Sequence, residues 1–196
     1  LCAIVLGLAV GFLVAVIRST HDKYGKFTFL NFLAKVYLTV IRGTPMVVQL
    51  LITYYIILRS VDSKVLIAIL AFGINSGAYQ AEIIRAGITS IDQGQMEAGR
   101  SLGLNYLDTM WHIIIPQAFK NILPALGNEF ITLFKDTALI SVIGGKELVY
   151  AAKAVGSKTY SVMFPYIGIA LVYLLLVIIF NALQGKLERR LRSSER

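Results

Sequence analysis

The chain has 196 residues, 57% of them hydrophobic and 15% charged, with a mean hydropathy of +0.71. Soluble domains carry about 25% charged residues, so the composition excludes a soluble globular enzyme and identifies an integral membrane protein. The net charge of +8 would suggest a nucleic-acid partner in a soluble protein, but here it is better explained by orientation in a bilayer, with no nucleic acid involved.

A membrane helix needs about 20 mostly apolar residues, with ~17 as the lower limit. Residues 1–17 meet that minimum as a first span. Because the sequence opens on Leu1 rather than Met, the first turns are expected to be missing. From Ser19 to Lys35 basic residues alternate with Phe27, Phe29, Leu30, Phe32 and Leu33. That pattern suits an amphipathic elbow at the inner interface, or a plain basic loop. A second span over 36–58 should kink at Pro45, which lacks a backbone donor. A third covers 65–84, a polar loop 92–116, a fourth and most polar span 119–143, and a charge-free fifth 165–183. The expectation is a single all-α domain over 1–196 with five transmembrane helices and its ends on opposite sides.

Lys and Arg near span ends mark the cytoplasmic side. Arg18, Lys23, Lys26, Lys35, Arg85, Arg100, Lys120, Lys186, Arg189, Arg190, Arg192 and Arg196 fall on one side. Arg59, Lys64, Lys146, Lys153 and Lys158 fall on the other. Twelve against five predicts an external N-terminus and a cytoplasmic C-terminus. Arg42, near the cytoplasmic end of the second span, adds to the larger set.

The loop has a mechanical reading of its own. Residues 95–102 suit a short helix ended by Gly103 in the left-handed conformation. Asn105 can cap a second helix with Asp108 as its capping-box partner, and Pro116 should close it. Ala98 and Gly99 are small enough to admit a partner closely, while Glu97 and Arg100 offer it charge. The spacing is specific: Glu97-Ala98-Gly99, three residues, Gly103, nine residues, Ile113, one residue, Ile115-Pro116. It resembles the cytoplasmic EAA loop of permease subunits in binding-protein-dependent ABC importers, whose pattern is Glu-Ala-Ala, three residues, Gly, nine residues, Ile, one residue, Leu-Pro. Gly99 and Ile115 are the two departures.

Further segments resemble the polar amino acid branch of that family, the histidine, glutamine, glutamate, arginine and opine group. They are Arg42-Gly43-Thr44-Pro45 with Val48-Gln49-Leu50, Ala78-Tyr79-Gln80-Ala81-Glu82, Ile91 to Gln95, Pro116-Gln117-Ala118-Phe119, Asn128-Glu129-Phe130, Lys135-Asp136-Thr137 and Leu187-Glu188-Arg189-Arg190. The resemblance implies the type I importer fold in the bacterial cytoplasmic (inner) membrane. It also implies a second permease subunit, with a homodimer favoured, together with two ATPase subunits and an extracytoplasmic solute-binding protein. ATP would be bound by the partner ATPase and no cofactor by this chain. The phosphate-cradling pattern Gly-x4-Gly-Lys-Ser/Thr is absent, and Gly144-Gly145-Lys146-Glu147 lacks both the upstream glycine and the hydroxyl. No Ser-His-Asp or paired-carboxylate set suggests catalysis. Cys2 is single, so no intrachain disulfide forms, and His21 and His112 lack metal-ligand spacing.

Charge at membrane depth costs about 2.5–3.5 kcal/mol on lenient scales, so the polar residues of the spans need partners. Glu129 and Asp136, seven apart, share one helix face, and Lys135 aligns with Asn128 on an adjoining strip. A zwitterionic amino acid needs both kinds of group, which makes Glu129, Asp136, Lys135 and the intervening Thr132 candidate substrate contacts; interhelical pairing is the alternative. Asn75, Tyr79 and Glu82 share a face of the third span, where Asn75 can reach the pathway and Glu82 can pair with Arg85. Gln49 and Thr53 line the same cavity or hydrogen-bond between helices. Gly7-x3-Gly11 and Gly73-x3-Gly77 let helices approach closely, within a subunit or between two. The acidic pair leans toward a basic substrate such as arginine, histidine or lysine. The rivals are a secondary transporter with Glu129 and Asp136 as proton or sodium sites, and a membrane scaffold.

Overall fold

A computed structural model describes residues 1–193, so Arg196 of the basic tail lies outside the described residues. The described residues form helices and no strands: α1 (Cys2–Tyr24), α2 (Thr28–Gly43), α3 (Met46–Ile52), α4 (Lys64–Thr89), α5 (Gln93–Ser101), α6 (Tyr106–Thr109), α7 (Ile115–Asp136), α8 (Leu148–Thr159) and α9 (Met163–Ser193). Wider π turns extend α3 over Thr53–Ile57 and join α6 to α7 over Met110–Ile114, while a tighter 3-10 stretch, Thr137–Ile143, follows α7.

Glycines build the centre. Gly7 and Gly11 of α1 lie so close to α4 that a Cβ on Gly11 would come within 2.9 Å of the Gly77 carbonyl oxygen. Gly73 and Gly77 in turn receive Leu6 and Val10. Both small-residue pairs therefore serve one contact inside the subunit, where backbone proximity supplies the dispersion energy that lipid cannot. Around it Ala3, Leu50, Ala68, Ala71, Phe72, Leu133 and Ile143 form the apolar core.

Paired positions give the helix directions. Gly7 faces Gln80 and Arg18 reaches Glu82, so α1 and α4 run the same way. Gly87 meets Ile122 while Ser76 meets Glu129, so α7 runs against α4. Gln184 meets Pro124 while Tyr173 meets Phe134, so α9 runs against α7. Among the described helices α1, α4 and α9 are long and apolar enough to cross a membrane. The pair α2 plus Met46–Ile57 is a fourth candidate if the two halves make one span, and the more polar α7 is not among them.

Three local expectations change. The break at Pro45 is sharper than a kink, with the helices on either side of it bent by 109°. The reason is Thr44, held extended at φ −121° and ψ 146° by the proline that follows. The Ser19–Lys35 elbow is no single element: α1 runs on to Tyr24 and α2 begins at Thr28, with Gly25 (φ 65°) and Phe27 (φ 59°) making a tight left-handed turn between them. Nor does Pro116 close its helix. It sits in the first turn of α7, and the π turn just upstream widens the backbone where the ring would otherwise clash with the preceding turn.

Candidate functional site

The break at Thr44-Pro45 opens a cavity of about 470 Å³ between the end of α2, the start of α3, α4 and α7. Asn75 and Tyr79 line it from α4, Glu129, Thr132 and Asp136 from α7, and Arg42 and Thr44 from α2 and its end. Four sequence candidates thus converge. Gln49 stands behind the wall, where its Nε2 donates to the Ile41 carbonyl at 2.7 Å and the Thr44 carbonyl at 3.1 Å, and its Oε1 accepts from Asn75 Nδ2 at 2.9 Å. It satisfies carbonyls left open at the end of α2 and fixes Asn75. Lys135 is exposed and does not line the cavity. Asn128 accepts from Gln184 of α9 at 3.1 Å, so that strip of α7 faces another helix.

Glu129 is held in place: its Oε1 accepts from Ser76 Oγ at 2.7 Å, and that hydroxyl accepts from Gln80 Nε2 at 2.8 Å. Ser76 and Gln80 are buried, and their hydrogen-bonded arrangement aims one carboxylate into the cavity. Thr132 donates to the Asn128 carbonyl of its own helix at 3.1 Å and retains acceptor capacity. One turn nearer the end of α4, Glu82 takes Arg85 at 3.2 Å, as the i+3 spacing predicts, and also Arg18 at 3.2 Å and Arg42 at 3.9 Å. Arg42, read in the sequence as a topological charge and as part of the Arg42-Gly43-Thr44-Pro45 segment, was not among the candidate substrate contacts. Its position just before the helix-breaking Thr44-Pro45 pair was the available signal.

The 92–116 loop folds as two short helices. Asp92 caps α5 by accepting the Gly94 N–H at 2.6 Å. Gly103, at φ 86°, ends α5: its N–H reaches the Arg100 carbonyl at 3.0 Å and the Leu104 N–H reaches the Gly99 carbonyl at 3.2 Å, the Schellman pattern. Asn105 Oδ1 accepts the Asp108 N–H at 2.9 Å, and the Asp108 carboxylate answers the Asn105 amide rather than its backbone. Glu97, Ala98 and Arg100 are exposed, whereas Gly99 is buried, its absent side chain leaving room for Thr109. Gly99 therefore packs the two helices of the loop together instead of facing outward. Leu102, Leu107 and Trp111 remain 82%, 74% and 69% exposed, an apolar rim around the loop. Tyr24 and Lys23 at the end of α1 rest on Tyr106, and Gln117 reaches Gln95, so the loop is tied to α1 and α7.

Comparison with known proteins adds a direct test of the family. The profile described as binding-protein-dependent transport system inner membrane component matches residues 4–193. The arginine transport system permease protein ArtQ of Bacillus subtilis is 38% identical over 195 residues, covering 98% of this chain and 89% of that protein. A putative glutamine transport system permease protein of Rickettsia typhi is 40% identical over 194 residues, covering 96% and 86%. The L-cystine transport system permease protein TcyB of Bacillus subtilis is 36% identical over 190 residues, covering 95% and 81%. A crystal structure of an amino acid ABC transporter with histidines superposes with a TM-score of 0.89 at 42% identity, covering 96% of this chain and 87% of that one. The inward-facing MetNI methionine ABC transporter shares the fold at a TM-score of 0.78 and 15% identity, covering 96% and 89%. The chain belongs to the binding-protein-dependent transport system inner membrane components and is a multi-pass permease of the amino acid ABC importers, a transport subunit rather than an enzyme.

Proposed function

We propose that the cavity between α2, α3, α4 and α7 holds the transported amino acid, with Glu129 and Asp136 receiving its ammonium and Asn75 and Thr132 orienting it. The observation that carries this reading is the convergence of two carboxylates and an amide on one polar cavity in an otherwise apolar protein, where unpaired charge is costly. Lys135 and Gln49 drop to supporting positions. Two carboxylates favour a substrate with a second positive charge, such as arginine, histidine or lysine.

The α5–α6 loop docks a separate ATPase, which binds the ATP, through exposed Glu97, Ala98 and Arg100 and the Leu102, Leu107 and Trp111 rim. Gly99, Gly103 and Pro116 shape that loop from within. An extracytoplasmic solute-binding protein delivers the substrate, and two copies of the chain make the pore. The alternating helix directions support five crossings, with the bent α2–α3 pair as the return from α1. They also support an external N-terminus, because the loop, the end of α1 and the basic end of α9 share one side.

The experiment is uptake by the complete importer in proteoliposomes. Glu129→Gln and Asp136→Asn keep size and remove charge. Each is expected to reduce uptake of a basic amino acid about 10–100-fold, the range for losing a charge-assisted hydrogen bond, while still assembling with the ATPase. Normal substrate dependence in both variants would place the pathway elsewhere.

A further inference from the structure

Arg42 stands between two cavities. It lines the acidic one with Glu129 and Asp136, and it lines a second, of about 430 Å³, with Arg18, Lys35 and Glu82. Along α4 the first cavity uses Asn75 and Tyr79 and the second uses Glu82, further toward Thr89 and the α5–α6 loop. The second cavity is therefore the next space on the way from the acidic pocket to the loop side.

The charges around Glu82 do not balance. Arg18 donates to its Oε1 and Arg85 to its Oε2, each at 3.2 Å. Arg42 stays 3.9 Å from Oε2, outside hydrogen-bond distance, with its guanidinium 5.7 Å from the centre of the Tyr79 ring. One carboxylate thus faces three guanidinium groups, and Arg42 is the one that makes no hydrogen bond to it. A guanidinium fork matches a carboxylate in a bidentate arrangement. A zwitterion needs a cation beside the two carboxylates, and Arg42 is the basic residue in the cavity's described lining.

We propose that Arg42 receives the α-carboxylate of the transported amino acid, and that Glu82 is the competing anion that draws Arg42 back when the cavity empties. The substrate class is then α-amino acids with a free carboxylate, selected by a residue outside the acidic pair. This rests on the reading that the cavity carries a zwitterionic amino acid. No bond forms or breaks; one ion pair exchanges for another.

The test measures direct binding to the permease–ATPase complex in lipid nanodiscs without the solute-binding protein, so that discrimination reports this chain alone. The probes are L-arginine, L-glutamine and L-histidine, each paired with the amine that lacks its carboxylate: agmatine, 4-aminobutanamide and histamine. The unsubstituted complex is expected to bind the preferred amino acid roughly 10–100-fold more tightly than its amine. Arg42→Gln should weaken the amino acid toward the amine and erase that preference; Arg42→Lys, which keeps the charge without the fork, should retain part of it. Equal binding of acid and amine by the unsubstituted complex overturns the proposal without any variant. So does a preference that survives Arg42→Gln while Glu129→Gln still loses binding, and in that case the cavity reading stands. Failure to bind any of the three amino acids, or indifference to Glu129→Gln and Asp136→Asn, overturns the cavity reading itself.

Discussion

Helices α4 and α9 are both long and apolar, and they do opposite jobs. In the most apolar stretch of α4, 61% of residues are buried inside the subunit; in that of α9, none are. Yet α9 is the more apolar and the easier to recognise, while α4 carries Asn75, Ser76, Gln80, Glu82 and three glycines. Hydropathy therefore measures contact with lipid or with another subunit, and falls where a helix has work to do inside the protein. The helix that organises this permease is the one whose span signal is diluted.

The largest effect expected from that contrast comes from glycine. Gly11→Leu places a side chain against the α4 backbone, where overpacking costs about 1–3 kcal/mol and more against a rigid wall. Thermal unfolding in detergent should show a Tm drop of several degrees or loss of folded protein. Gly168→Leu on α9 meets no atom within 4 Å and should leave the monomer stable. A monomer of unchanged Tm that no longer assembles would mean that a second subunit covers α9; a destabilised monomer would end the contrast.

Between these extremes lies the loop. Gly103→Pro removes the N–H bonded to Arg100 and forbids φ 86°. Uptake by the importer is expected to fall about tenfold or more while the ATPase still hydrolyses ATP, because the loop would lose its shape rather than the fold its core. Full coupled uptake in that variant would show that the turn is dispensable. The smallest disturbance is a label. With Cys2 replaced, a cysteine at Ser60 should react with an impermeant reagent from outside intact cells and one at Ser101 should not. The reverse pattern would invert the whole arrangement.

The sequence was legible where one residue acts through local geometry. Gly103, Asn105 and the i+3 pair of Glu82 and Arg85 behave as their spacing predicts, and the fold follows from apolar runs and one specific motif. It was less legible where distant elements meet. Gly99 reads as an open surface because nothing local announces Thr109 on the other side. Lys135 aligns with Asn128 on paper, but only the position of α9 shows that Asn128 answers Gln184. Arg42 reaches the cavity because Thr44-Pro45 turns the chain by 109° there, an angle that composition does not encode.

The π turn at Met110–Ile114 has a consequence for phase. The helix is continuous from Tyr106 to Asp136, and a widened turn accommodates one more residue than an α-helix would over the same rise. Each α-helical residue advances the azimuth by roughly 100°, so that extra residue sets the angular offset between Thr109, which packs on the loop, and Glu129, which faces the cavity. A chain shorter by one residue in this stretch would still be helical and of nearly the same length. The same residues wound as plain α-helix, however, would put the lower and upper halves about a quarter-turn out of step, with the acidic face rotated toward a neighbouring helix. The bulge works like the set screw of a shaft, keeping the loop end of the helix indexed to its cavity end.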